Sequence, residues 1–143
     1  MISQRKNEEQ KQLPISEYQK RFFMEWALNP KRTDYNSVLV YEIGPELNKR
    51  NFVKACEYFL DNNELAYAQY SSCGKYCFYK DYNINDFYSE KELNDNQAVE
   101  KYINKLVKIP FDLTSDALIN FHLIYIMPPS FQTDLLSLRF QIA

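Results

Sequence analysis

The chain has 143 residues, of which 45% are hydrophobic and 16% aromatic, with 12 Tyr and 10 Phe; that is enough to bury the core of one compact domain, or of one lobe of a larger one, and it excludes a disordered polypeptide. Lys plus Arg at 17 against Asp plus Glu at 19 leaves a formal charge of -2, without the cationic excess that a phosphate backbone requires, so nucleic acid is not an expected partner. No segment approaches the ~20 apolar residues of a membrane span, and the opening residues hold no apolar signal core, so the expectation is a cytoplasmic protein with no membrane partner.

Met1 to Leu13 are mostly polar and charged and read as a mobile leader, which places the ordered domain at 14–143. Ser16 and Gln19 have capping-box spacing, and Tyr18, Phe22 and Trp26 recur at four-residue steps, predicting an amphipathic helix that ends before Pro30. Ser37 to Ile43 is β-branched and aromatic and predicts a strand closed by Gly44-Pro45. From Leu47 onward, Phe52, Ala55, Cys56, Phe59 and Leu60 follow helical periodicity up to Asp61. Leu65 to Tyr70 and Tyr76 to Tyr79 flank the Gly-containing connection Ser71–Gly74 and predict a short hairpin. Asp81 to Asn94 show no period and read mostly as loop. A further helix is capped by Asp95 or Asn96 and turns Val99, Tyr102, Ile103, Leu106 and Val107 inward. Leu118 to Ile126 and Leu135 to Ala143 then read as two strands on either side of Pro128-Pro129. The fold class is α/β, a mixed sheet covered by helices.

Candidate chemistry is sparse. Two glycines, Gly44 and Gly74, cannot assemble a dinucleotide fingerprint or a P-loop. Cys56, Cys73 and Cys77 make an odd count that argues for reduced thiols, and Cys73 with Cys77 lacks the four ligands of a structural zinc site, so no metal is expected. His122 is the single histidine, set in a strand-like run with no carboxylate close behind it; it reads as a hydrogen-bonded strand residue rather than a general base. No Ser or Cys stands in a recognisable nucleophile context. The residues alone assign no catalytic, cofactor-binding or metal position.

Taken in order, several segments resemble the N-terminal lobe of the condensation domains of nonribosomal peptide synthetases, in the chloramphenicol-acetyltransferase-like superfamily. Leu13-Pro-Ile-Ser16 with Gln19 to Phe23 is similar to the family's opening Ser-x-x-Gln helix, and Tyr35-Asn36 to the Tyr-Asn pair before the first strand. Ile43-Gly44, Leu47, Phe52, Ala55 and Phe59 resemble the strand, Gly, Leu and helix pattern that follows, and Pro110-Phe-Asp-Leu113 with Ala117-Leu118 resembles a Pro-Phe-Asp-Leu segment. Glu64 is kept, whereas Asn62-Asn63 stand where the family has Arg-His, and Tyr67 where it has Arg.

The resemblance implies one lobe of a chloramphenicol-acetyltransferase-like fold and a part in joining carrier-bound aminoacyl or acyl thioesters. In the family, the strand matching Leu135 to Ala143 leads into His-His-x-x-x-Asp-Gly, whose second His assists attack of the acceptor amine; that motif is absent from this sequence, so these residues by themselves are expected to be inactive. The implied partners are a C-terminal lobe and peptidyl or acyl carrier domains, whose phosphopantetheine arms bring the substrates; no cofactor is expected to bind directly. Two other roles fit the residues: a non-catalytic docking or scaffolding module for carriers, and part of a coenzyme A- or polyketide-dependent acyltransferase. Leu135 to Ile142, an apolar strand at the C-terminus, is further expected to leave an edge or face through which the chain associates with itself.

Overall fold

The structure, a computed structural model, describes residues 12–44 and 46–126, and the backbone of residues 133–141. Pro45, Pro128-Pro129 and Ile142-Ala143 of the sequence reading lie outside the described residues, as do Met1 to Lys11.

Two sheets organise the chain. The larger has the order β2-β7-β6-β5, from Asn36–Ile43 (β2), Thr133–Gln141 (β7), Ile119–Ile126 (β6) and Tyr88–Leu93 (β5). β2 and β6 run antiparallel to β7, with Asn36 opposite Gln141 and Ile119 opposite Phe140, while β5 runs parallel to β6 with Tyr88 opposite Phe121. The smaller sheet has the order β1-β4-β3, from Leu13–Pro14, Tyr76–Tyr79 and Ala68–Tyr70.

The strand β6, Ile-Asn-Phe-His-Leu-Ile-Tyr-Ile, shows why the sheet is covered on both sides. Alternate residues of a strand point to opposite faces. Phe121 packs with Cys56 and Leu60 of helix α2 (Lys49–Asp61), whereas Ile124 and Ile126 pack with Val99 of helix α4 (Asn96–Val107). The sheet is therefore the middle layer of three, and its central strand is apolar on both faces, as strands buried from both sides are. Helix α1 (Glu17–Leu28) lies apart from these layers and covers the small sheet, where Phe23 and Trp26 meet Tyr70, Cys77, Phe111 and Leu113.

Several expectations are corrected. Leu13 is not leader: it pairs with Cys77 as part of β1. On α1 the capping box of Ser16 and Gln19 is present, but the buried stripe is Phe23 and Trp26, and Tyr18 is 84% exposed. On α2 Cys56 and Leu60 are buried while Ala55 and Phe59 are exposed, because a thin helix face meets the sheet. Leu65 to Tyr67 form the end of a 3₁₀ turn, Glu64–Tyr67, so β3 begins only at Ala68. Asp81 to Asn94 are not loop: they hold the single turn α3 (Ile84–Phe87) and β5. β5 is hidden in the sequence because Tyr-Ser-Glu-Lys-Glu-Leu is an edge strand whose exposed centre is charged, a common way to block pairing with other chains. Finally, β7 does not present an open edge, since it is paired on both sides; the edges of the described sheet are β2 and β5.

The hairpin between β3 and β4 turns at Gly74, whose φ of +63° is the left-handed conformation that glycine adopts without strain. A Cβ there would also overlap the Phe23 ring, whereas nothing lies near the corresponding position of Gly44. Gly74→Ala should therefore cost about 2 kcal/mol or more in urea unfolding, and Gly44→Ala about 0.5 kcal/mol or less; equal costs would show that the hairpin does not rest on Phe23.

Candidate functional site

Residues 107–118 connect α4 to β6, and their backbone carbonyls are held by side chains from five other places in the chain. Trp26 Nε1 donates to the Phe111 carbonyl at 3.0 Å, and the Tyr70 backbone N–H donates to Leu113 O at 3.1 Å. Gln69 donates through its side chain to Thr114 O; Lys80 Nζ and the Tyr82 hydroxyl both reach Ser115 O, at 3.1 and 3.2 Å. Asn36 Nδ2 donates to Val107 O at 2.9 Å and to Ile109 O at 2.8 Å, so this side chain satisfies carbonyls that the end of α4 leaves open. Asn36 Oδ1 is buried with no partner among the described residues.

The segment also ties itself. Asp112 Oδ1 accepts from the N–H and the hydroxyl of Thr114, at 2.8 and 2.7 Å, while the Asp112 N–H donates to Asp116 Oδ2. This is an Asx-type turn, and it explains the Asp of Pro-Phe-Asp-Leu as a backbone-shaping residue. Burial works to raise the Asp112 pKa, but the bonds from Thr114 and Ser115 outweigh it and hold the carboxyl below its ordinary value of 3.8.

Tyr35-Asn36 owes its position to a charged cluster. Arg32 grips Asp34 with two nitrogens at 2.8 and 2.5 Å, reaches Glu25 at 3.2 Å, and lies over the Tyr35 ring; the Tyr35 hydroxyl donates to Glu25 at 2.6 Å. The Arg32 bond holds the Asp34 carboxyl down at about 2. Phe22 meets the Tyr35 ring edge-on at 4.7 Å. These contacts fix where β2 starts, and with it the point at which β7 ends beside Asn36. A cavity of about 440 Å³ opens at this end of the sheet, between Lys80–Asp86 and residues 109–120. Its walls are largely polar, with Asp86 and Asp116 adding to burial to push the Tyr82 hydroxyl up to about 12.

The remaining residues singled out from the sequence are dispersed. His122 stands in mid-sheet on the α4 side, its Nδ1 2.7 Å from Ser89 Oγ and 3.4 Å from the Tyr102 hydroxyl; it is a hydrogen-bonded strand residue. Cys73 is exposed in the hairpin, where the Ser71 hydroxyl and the Lys75 N–H lower its thiol pKa, while Cys77 is buried and its thiol pKa is raised. Asn62 and Asn63 donate to the carbonyls of Tyr58 and Phe59, both at 2.7 Å, and so close the C-terminus of α2. Glu64 accepts from the Tyr79 hydroxyl at 2.9 Å, and Tyr67 is buried against Phe87. The sequence reading missed the carbonyl-holding roles of Trp26, Asn36, Gln69 and Tyr82. The one available signal was Asp112-x-Thr114, a usual Asx-turn spacing.

No family model matches the chain, and no curated protein matches it. Among solved structures, the starter condensation domain of the rhizomide synthetase RzmA superposes with a TM-score of 0.74 at 17% identity, covering 92% of this chain and 34% of that one. The fold is that of a condensation-domain N-terminal lobe. A variant of the same RzmA domain in complex with C8-CoA and Leu-SNAC superposes on this lobe with a TM-score of 0.77 at 16% identity, covering 92% of this chain and 30% of that one. The tallysomycin biosynthesis protein TlmII superposes with a TM-score of 0.72 at 15% identity, over 92% of this chain and 33% of that one. The lobe thus spans about a third of the length of these structures. The α/β, chloramphenicol-acetyltransferase-like architecture expected from the motif order is borne out. Among the described residues, no helix is long and apolar enough to cross a membrane.

Two measurements check this geometry. Asn36→Ala should cost about 1–2 kcal/mol by leaving carbonyls of Val107 and Ile109 unbonded, and Asn36→Asp should cost more, because a carboxylate cannot donate to them. For Asp112, a depressed folded pKa means stabilisation that is complete above the ordinary value of 3.8 and is lost as pH falls through the lower folded value. Asp112→Asn should accordingly lose stability at neutral pH, by about 1 kcal/mol for a turn bond, and show a shallower decline below about pH 4 than the parent; parallel acid limbs would remove Asp112 from this role.

Proposed function

We propose that the chain forms the N-terminal wall of a condensation site, at which a carrier-bound acyl or aminoacyl thioester is passed to an amine. The observation that carries this reading is the superposition of 92% of the chain on the RzmA starter condensation domain, one form of which was solved with C8-CoA and Leu-SNAC. The motif order adds to it: Ser16–Phe23, Tyr35-Asn36 and Pro110–Leu113 occur in the family's sequence and each has a structural task here.

In such a reaction the amine nitrogen bonds to the thioester carbonyl carbon, the C–S bond breaks, and a proton passes from the amine to the departing thiol or to solvent. A positioned base contributes typically ~10²–10⁴ to a step of this kind. These 143 residues hold one histidine, and His122 is engaged with Ser89 and Tyr102 in mid-sheet. The lobe supplies wall and support, and the base belongs to the His-His-x-x-x-Asp-Gly part of a complete domain. The phosphopantetheine arm belongs to the carrier and arrives as part of the substrate. The C-terminal lobe of a condensation domain and the carriers are the proposed partners.

Purified alone and mixed with acyl-loaded donor and aminoacyl-loaded acceptor carriers, the chain should yield amide product at the uncatalysed background, unchanged by His122→Ala. Product well above background that disappears in His122→Ala would overturn the assignment of this lobe as a wall.

A further inference from the structure

Among the described residues, the larger sheet ends in two unpaired edges, and they are unlike. On β5 the exposed centre is Ser89-Glu-Lys-Glu92, whose charges oppose pairing with another chain. On β2 the centre is Val38-Leu-Val-Tyr41, and Glu42 is the one charged residue of the strand. Leu39, Val40 and Tyr41 are 43%, 43% and 52% exposed. Because alternate residues of a strand point to opposite faces, both faces of this stretch are open as well as its outer edge. An apolar edge without guarding charges is a template for a further strand.

The sequence of β2 shows which strand fits there, namely β2 itself. Along a strand, successive residues send their backbone N–H and C=O to alternate edges, and residues directly opposite in an antiparallel pair send them the same way. Two copies of one strand can therefore face each other only through residues of like parity. Centring the pair on Leu39 sets Leu39 opposite Leu39, Val38 opposite Val40, Ser37 opposite Tyr41 and Glu42 opposite the amide residue Asn36. Shifting the centre to Val38 sets Ser37 against Leu39, shifting it to Val40 sets Glu42 against Val38, and a centre at Glu42 brings two carboxylates face to face. The Leu39 register alone matches apolar with apolar and keeps the charges apart.

We propose that the outer edge of β2 is a contact surface for a second copy of this chain, whose own β2 pairs with it antiparallel about Leu39 and joins the two sheets into one. The inference rests on the sheet edge and stands apart from the condensation reading. One strand pair buries less than the roughly 1,200–2,000 Å² of a standard stable interface, so the dimer belongs to the weak class and fills at about 0.1–1 mM chain.

Sedimentation equilibrium of the 143-residue chain up to about 1 mM should show this monomer–dimer equilibrium. Leu39→Lys sets two ammonium groups across the twofold axis, and Val40→Lys puts a charge on the other face; each should weaken the dimer about tenfold or more. Far-UV circular dichroism checks that each variant is folded, and either one suffices. The register is read by oxidation in a Cys73→Ser background, which removes the one exposed thiol among the described residues. Leu39→Cys should then close a disulfide between copies, since opposite residues lie about 4.5–5.5 Å apart, within disulfide reach. Ser37→Cys should not, because it faces Tyr41 rather than its own copy. The proposal is overturned by a chain that stays monomeric at about 1 mM, by a dimer that the lysines do not weaken, or by Ser37→Cys cross-linking as readily as Leu39→Cys.

Discussion

The indole N–H of Trp26, donating to the carbonyl of Phe111, joins the first helix to a segment 85 residues later. Much of the lobe hangs on that segment. Residues 107–118 have no sheet ladder of their own, so their buried carbonyls need donors from elsewhere, and Asn36, Gln69, Tyr70, Lys80 and Tyr82 provide them. Gln69 and Tyr70 come from β3, and the other donors from α1, the start of β2 and the stretch after β4. The segment therefore ties helix α1, the small sheet and the start of β2 to the strand β6 that follows. Phe111 and Leu113 fill the core between those donors, at 3% and 0% exposure, so hydrogen bonds and apolar burial act on the same few residues.

This constraint also locates the candidate site. Since β2 starts at Asn36 and pairs there with the last described residue of β7, the bonds from Asn36 to Val107 and Ile109 set the end of the sheet against the segment. The pinned segment and the charged cluster around Arg32 together fix the position of this end of the sheet.

The departures from the family pattern find physical explanations in the same terms. Asn62 and Asn63 close the C-terminus of α2 with side-chain amides, a task that needs a short donor close to the last carbonyls. Tyr67 turns inward against Phe87, Tyr82 meets the same ring, and the three aromatics form a packed group under α2. None of these replacements leaves a buried charge unpaired.

The sequence by itself determined the elements whose signals are local. Capping at Ser16 and Asp95, the 3.6-residue periods of α2 and α4, the β-branched run of β2 and the apolar run of β6 all read directly, because each depends on residues within one or two turns of itself. The motif order likewise pointed to the lobe. Tertiary structure alone decided the rest. β5 forms from a charged hexapeptide because β6 offers it a parallel edge, and the buried face of α1 passes through Phe23 rather than Tyr18 because the hairpin at Gly74 lies against it. β7 sits inside the sheet because β2 comes to it from nearly 100 residues earlier in the chain. The carbonyl clamp on 107–118 belongs to the same class. These are properties of pairs far apart in sequence, and no local period, cap or turn residue encodes which distant donor will meet which carbonyl.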